Sequence, residues 1–297
     1  MAAQNLLDLT GRTAVVTGAS SGLGAVFAHA LAVAGANVVV AARRADRLSE
    51  VADGIRNAGG SALAHECDVT DPAQVDALVD AARERFGRVD VMVNNAGTAG
   101  DAGPTPERLP HELFEQTVRV NLLGVWYGCQ AAARVMLADG RGGSIINLSS
   151  ALGVGAQQDY PPAYQATKAA VINLTRTLAA SWADRGVRVN VIAPGWFPSE
   201  MTAPFFAAPP FLDWILSQQP SGRVGDPQEL VGPLLFLASD AASYVNGHTL
   251  VVDGGMTATF GAPREPHAVR ALFEQVVPTG LATRIVAPQD ALAGGTA

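Results

Sequence analysis

Short apolar and β-branched runs alternate with longer Ala- and Leu-rich stretches of helical period through most of the chain. That alternation is the signature of strand–helix–strand units and of a parallel sheet. Strands are predicted over Thr13–Thr17, Asn37–Ala41, Ala62–Glu66, Val89–Asn94, Ser144–Leu148, Val187–Ile192 and Leu250–Val252. Helices are predicted over Leu23–Ala34, Ala45–Ala58, Pro72–Phe86, Glu112–Ala138, Ala163–Ala183 and Pro227–Ser239. Uninterrupted apolar strands such as Val38-Val39-Val40 imply burial on both faces. The expected fold class is α/β, a doubly wound parallel sheet of about seven strands in a three-layer α/β/α arrangement.

Two stretches break the rhythm. Residues 196–220 are dense in Pro and aromatics (Trp196, Phe197, Phe205, Phe206, Phe211, Trp214) and fit a loop-and-helix flap. The Pro/Gly/Ala-rich tail, with one candidate helix near 268–277, does not extend the sheet pattern. The expected division is a single domain over 1–256, with 196–220 as its substrate flap, and an extension over 257–297 that serves oligomer contact or is partly disordered.

Composition narrows the partners. A formal charge of −7 provides no basic field for a polyphosphate backbone, so no nucleic acid is expected, and any bound phosphate must be held locally. Cys67 and Cys129 lie far apart without metal-ligand spacing, and the five histidines (His29, His65, His111, His248, His267) are scattered, so no metal site is expected. The N-terminal stretch lacks the features of a secretion signal, and His29, Gly35 and Asn37 interrupt the apolar run from Leu23 to Ala42. A cytoplasmic protein with no membrane contact is the expectation. Of the 20 basic residues, 19 are Arg and one is Lys168. A chain so biased keeps a lysine where a compact, rotatable ammonium is needed.

The first strand runs into Thr17-Gly18-Ala19-Ser20-Ser21-Gly22-Leu23-Gly24 and then into a helix, an order that aims backbone N–H groups and a helix dipole at a pyrophosphate. Tyr164 and Lys168, at i and i+4, fall side by side on one helix face. A tyrosine ordinarily titrates near ~10, and an adjacent ammonium is expected to bring the phenol closer to working pH for acid/base chemistry. Tyr160 is close by, but no lysine follows it at i+4.

Together with Asn94-Asn95-Ala96-Gly97 after the fourth strand and Pro194-Gly195 after the sixth, TGxxxGxG and Tyr164-Gln165-Ala166-Thr167-Lys168 resemble the single-domain branch of the short-chain dehydrogenase/reductase family, over about Leu9 to Gly255. The resemblance implies a Rossmann-type oxidoreductase, with Tyr164 as acid/base, Ser150 binding the carbonyl, Lys168 reaching the nicotinamide ribose and Asn121 positioning a water beside it. It implies dinucleotide contacts from Gly18, Ser20, Ser21, Gly22, Leu23, Gly24, Asp68, Val69, Asn95, Ala96, Gly97, Pro194, Gly195 and Ser199, and a homo-oligomer, tetramer or dimer. The segment between Ser150 and Tyr164 is one residue longer than usual, which leaves Ser149 as an alternative to Ser150. At the end of the second strand Ala42 stands where NAD-dependent members carry Asp, and Arg43 follows, so NADP(H) is favoured over NAD(H). The family's second basic residue inside the glycine turn is replaced by Ser20 and Ser21. The flap aromatics favour an apolar or ring-bearing carbonyl or alcohol as the small-molecule substrate. The alternatives are an NAD-dependent sugar, polyol or steroid alcohol dehydrogenase, and a non-catalytic dinucleotide sensor.

Overall fold

The computed structural model describes residues 6–102, 105–158 and 160–259. The candidate helix near 268–277, His267 and the extension beyond Thr259 lie outside them. In chain order the elements are β1 (Thr13–Thr17), α1 (Gly22–Val33), β2 (Asn37–Ala42), α2 (Ala45–Asn57), β3 (Ser61–Glu66), α3 (Pro72–Phe86), β4 (Val91–Asn94), α4 (His111–Val118), α5 (Gly124–Ala138), β5 (Gly143–Leu148), α6 (Ala151–Val154), α7 (Pro162–Trp182), β6 (Val187–Pro194), α8 (Ala203–Phe206), α9 (Pro209–Ser217), α10 (Val231–Ala238) and β7 (Thr249–Val252).

All seven strands pair in parallel, in the order β3-β2-β1-β4-β5-β6-β7. Successive residues of a strand point to opposite faces, and the core divides accordingly. Ala14, Val16, Val38 and Val40 pack on Phe27 and Leu31 of α1, Leu48 and Ile55 of α2, and Leu234 and Leu237 of α10. Val15, Val39, Met92 and Ile145 pack on Leu78 of α3, Cys129 of α5, and Val171 and Leu178 of α7. The uninterrupted apolar strands are therefore covered on both sides, as their pattern predicts. Strand order reverses between β1 and β4, which opens a crevice at the carboxyl ends of the strands.

Two helices differ from the sequence prediction. The helix expected over Glu112–Ala138 is α4 and α5 joined by a π-helical turn, Arg119–Leu123, with Asn121 fully buried in it. Asn121 bonds out of the helix to Thr98, and a π turn accommodates such a displaced side chain. The helix expected over Pro227–Ser239 opens as a 3₁₀ turn, Pro227–Leu230, because Asp226 and Glu229 form a capping box there. The flap contains two short helices, α8 and α9, each with proline in its first turn.

At the edge opposite the crevice, the buried Asp90 carboxylate accepts the Thr13 amide at 2.8 Å and pairs with Arg88, while the Asp90 carbonyl accepts the Ser144 amide at 2.8 Å. One residue thus ties the starts of β1 and β5 together. Asp90→Ala leaves the buried Thr13 amide without its acceptor, and urea denaturation is expected to register a loss of about 1–3 kcal/mol.

Candidate active site

The glycine turn is shaped by two close approaches. Gly18 has φ +67°, and a Cβ there would stand 2.8 Å from Ala96 Cα; at Gly24 a Cβ would stand 2.3 Å from the Gly18 carbonyl oxygen. The turn folds onto itself and onto the end of β4, where the Asn95 side chain donates to the carbonyls of Thr17 (2.9 Å) and Gly18 (3.2 Å). The Thr17 hydroxyl accepts from the amides of Asn95 and Ala96. Helix α1 starts without a side chain capping its first amides, so its positive end stays available to an anion.

Beside this turn lies a cleft of about 520 Å³. Its walls are Gly18, Ser20, Ser21, Gly22, Leu23 and Gly24 of the turn; Arg43 after β2; Asp68 and Val69 after β3; Asn95, Ala96 and Gly97 after β4; Ser150, Tyr164 and Lys168; and Pro194, Gly195 and Ser199. Every site residue predicted from the sequence is here except Asn121, which stands one layer behind. The cradle of tight glycines and open helix amides fits a dinucleotide. Among the described residues no cluster of His, Cys, Asp or Glu suits a metal ion.

At the β2 end, Ala42 leaves no carboxylate, and Arg43 is exposed on the cleft wall. Arg44 was not among the predicted site residues. Its guanidinium reaches over the turn, donating to Ser20 Oγ (3.1 Å), Ser21 Oγ (2.8 Å) and the Glu200 carboxylate (2.8 Å). A basic group absent from the turn's own sequence thus reaches it from the start of α2. Glu200, from the flap, also accepts from Ser21 at 2.9 Å, and these hydrogen bonds hold its carboxyl below the usual range. Nothing local in the sequence links Arg44 to Glu200; only the fold brings them together.

At the other end of the cleft, α7 presents Tyr164 and Lys168. Lys168 is buried, its ammonium donates to the Leu148 carbonyl at 2.8 Å, and Nζ lies 5.5 Å from the centre of the Tyr164 ring. Ser149 spends its hydroxyl on the Lys168 carbonyl (2.7 Å), whereas the Ser150 hydroxyl lies against Tyr164 and accepts the Leu152 amide at 3.1 Å. Geometry therefore separates the two serines that the spacing left open. The Asn121 amide is clamped to Thr98, accepting its N–H and donating to its carbonyl, both at 2.8 Å. A Cβ on Gly97 would meet Lys168 Nζ at 3.4 Å and Asn121 Oδ1 at 3.5 Å, so the two groups converge on one spot.

One electrostatic expectation is corrected. Burial pushes the Tyr164 phenol up rather than down; its bond with Ser150 opposes this, and the nearby Asp101 carboxylate adds to it. Burial also draws Lys168 down to about 8. Each group pays for desolvation of its charged form, which the spacing of two side chains on a helix does not reveal.

A second cavity, of about 300 Å³, shares Ser150 and Tyr164 with the cleft. The flap encloses it: Trp196, Phe205 and Phe211 line it, and Tyr160 joins them from the segment before α7. Their rings interlock, with Trp196 edge-on to Phe205 and Phe211 at 6.1 Å and Phe205 stacked on Phe211 at 5.0 Å. No charged side chain among the described residues lines it.

A doubly wound parallel sheet with a glycine cradle at its switch point and a Ser/Tyr/Lys cluster beside it defines a Rossmann-type NAD(P)-dependent oxidoreductase. Comparisons give the family. Residues 18–257 match the family model described as enoyl-(acyl carrier protein) reductase. The chain is 40% identical to gluconate 5-dehydrogenase of Gluconobacter oxydans over 87% of its own length and 100% of the relative's. It is 43% identical to 3beta-hydroxysteroid dehydrogenase 1 of Eggerthella lenta over 84% and 95% of the two chains. Among solved structures, the gluconate 5-dehydrogenase from Burkholderia cenocepacia, in complex with NADP and tartrate, superposes with a TM-score of 0.81 at 38% identity, covering 86% and 98%. The chain belongs to the short-chain dehydrogenase/reductase family and is an NAD(P)-dependent enzyme acting on CH–OH groups. No helix among the described residues is long and apolar enough to cross a membrane.

The buried lysine makes stability depend on pH. Between about pH 8 and the ordinary lysine value near ~10.4, the unfolded chain holds a proton that the folded protein has released, so stability rises with pH. Below about pH 8 both states are protonated and the dependence is flat. Urea unfolding from pH 8 to pH 10 is expected to show wild type gaining roughly 2–3 kcal/mol relative to Lys168→Met, a difference in which the buried thiols cancel.

Proposed function

We propose that the chain is an NADP(H)-dependent oxidoreductase that interconverts an apolar or ring-bearing ketone or aldehyde and its alcohol, with Tyr164 as the acid/base. The observation that carries this reading is the meeting of the two cavities at Ser150 and Tyr164: a cleft suited to a dinucleotide on one side, an aromatic chamber on the other. When bound, the nicotinamide supplies or accepts the hydride. The protein's part is to hold and to move a proton. Ser150 orients the substrate oxygen and stabilises charge developing on it. Tyr164, kept protonated at neutral pH by burial, gives its hydroxyl proton to that oxygen in the reductive direction. Lys168, pinned to the Leu148 carbonyl, holds its charge near the phenol and within reach of ribose hydroxyls. Asn121 braces the segment after β4 through Thr98.

Support for NADP(H) comes from Arg43 and Arg44 at the end of β2, beside Ser20 and Ser21, with Ala42 in place of a carboxylate. Guanidinium groups favour a 2′-phosphate, which an acidic residue would repel. Support for an apolar substrate comes from the chamber's aromatic lining, which offers no cation to hold a sugar acid such as gluconate. The likeness to a hydroxysteroid dehydrogenase points the same way.

Nicotinamide fluorescence titration tests the cofactor. NADPH is expected to bind more tightly than NADH, Arg43→Ala to weaken NADPH about tenfold or more while leaving NADH within about twofold, and Tyr164→Phe to leave both unchanged. Preference for NADH would overturn the Arg43 assignment. A screen of cyclic ketones with NADPH then tests the chemistry, with Tyr164→Phe expected to abolish turnover.

Glu200 holds Arg44 in an exposed ion pair, so Glu200→Gln frees the guanidinium and removes a negative charge from the cleft. The same titration is expected to find NADPH tighter by roughly two- to fivefold with NADH little changed, the modest size following from the weakness of exposed pairs.

A further inference from the structure

Helix α7 carries Tyr164 in its first turn, yet it begins at Pro162 with Pro161 before it and has no side-chain cap or acidic residue of its own there. Its first amides must find acceptors elsewhere. Pro162 has no N–H, and the Gln165 amide donates to the Pro161 carbonyl at 3.2 Å. The two that remain, on Ala163 and Tyr164, both donate to one carboxylate oxygen of Asp101, at 2.8 and 3.1 Å. The other oxygen accepts from the Thr117 hydroxyl of α4 at 3.3 Å. Asp101 comes from the segment between β4 and α4 and has no exposed area. A carboxylate is buried only at high cost unless fully bonded, and here it is bonded at both oxygens and set against the positive end of a long helix.

We propose that Asp101 is a positioning residue for Tyr164, pinning the first turn of α7 against α4 and placing a negative charge at the head of the helix that carries the phenol. The inference rests on Tyr164 being the acid/base. A short turn-like stretch, Gly100-Asp101-Ala102, gives no sequence sign of this role. A positive charge, Lys168, stands on the same helix. From the neighbouring segments come Ser149 and Ser150 after β5, Asn121 in the π turn, and Trp196, Met201 and Thr202 of the flap, none charged. Tyr160 shares the substrate chamber, and burial pushes its phenol up. Burial raises the proton affinity of Tyr164, and the Asp101 carboxylate adds to it by favouring the phenol over the phenolate.

The test is a tyrosinate ultraviolet titration, which needs no substrate. Subtracting the Tyr164→Phe curve from wild type isolates Tyr164 among the four tyrosines. The same subtraction with Asp101→Asn and Asp101→Asn/Tyr164→Phe isolates it without the charge. Asparagine keeps an acceptor oxygen for the two amides, so this variant is expected to fold and to titrate Tyr164 at lower pH than wild type. Asp101→Ala loses the cap as well, and its melting temperature is expected to fall about 2–4 °C below that of Asp101→Asn. An unmoved Tyr164 midpoint in Asp101→Asn overturns the electrostatic role. Equal melting temperatures for the Ala and Asn variants overturn the pinning role. Turnover that survives Tyr164→Phe would sink the acid/base reading itself, an outcome distinct from either.

Discussion

A parallel sheet buried on both faces leaves nowhere for chemistry except the ends of its strands, and this constraint organises the molecule. Apolar residues fill both faces of β1, β2, β4, β5 and β6, so polar groups gather where the strands stop. Because strand order reverses between β1 and β4, the loops after those two strands diverge onto opposite faces and open the crevice. The glycine turn follows β1, Asn95 to Gly97 follow β4, Ser150 follows β5, and Gly195 follows β6. Within the sheet, the buried Asn94 amide donates to Asn147, which donates to Thr175 on α7, while the Asn94 oxygen itself has no partner.

The reactive end of the cleft is rigid because its polar side chains are tied to backbone. Lys168 is held by the Leu148 carbonyl, Ser149 by the Lys168 carbonyl, and Asn121 by both groups of Thr98. Main-chain partners cannot change rotamer, so each side chain inherits the precision of the strand end or helix turn it is bonded to. Ser150 and Tyr164 both stand at the junction of the two cavities. The same dry surroundings that fix them shift their protons, upward for the phenol and downward for the ammonium.

At the other end of the cleft the design is the reverse. Arg43, Arg44 and Glu200 are exposed, and Arg44 and Glu200 are bonded to each other and to the serines of the glycine turn. Arg44 and Glu200 also join the glycine turn to the flap, so the dinucleotide cleft and the wall of the aromatic chamber meet in one ion pair. Its strength depends on ionic strength in a way that the buried end does not.

Much of this was legible in the sequence. Short apolar runs and helical periodicity are local properties, so the strands and most of the helices were placed close to their observed bounds, and the doubly wound order followed. The glycine turn and the Tyr164–Lys168 spacing were legible for the same reason, a strand end followed by a helix start being a local event, whereas the rest of the cleft lining was named through the family resemblance. What the sequence could not carry are contacts between residues far apart along the chain. The break of α4 and α5 at Asn121, the reach of Arg44 to Glu200, the cap of α7 by Asp101 and the choice of Ser150 over Ser149 each depend on a partner brought in by the fold. The proton affinities of Tyr164 and Lys168 belong with them, because desolvation depends on everything packed around a group. Local pattern thus determined the elements and the chemical class of the site, and the tertiary structure decided how each side chain is held and charged.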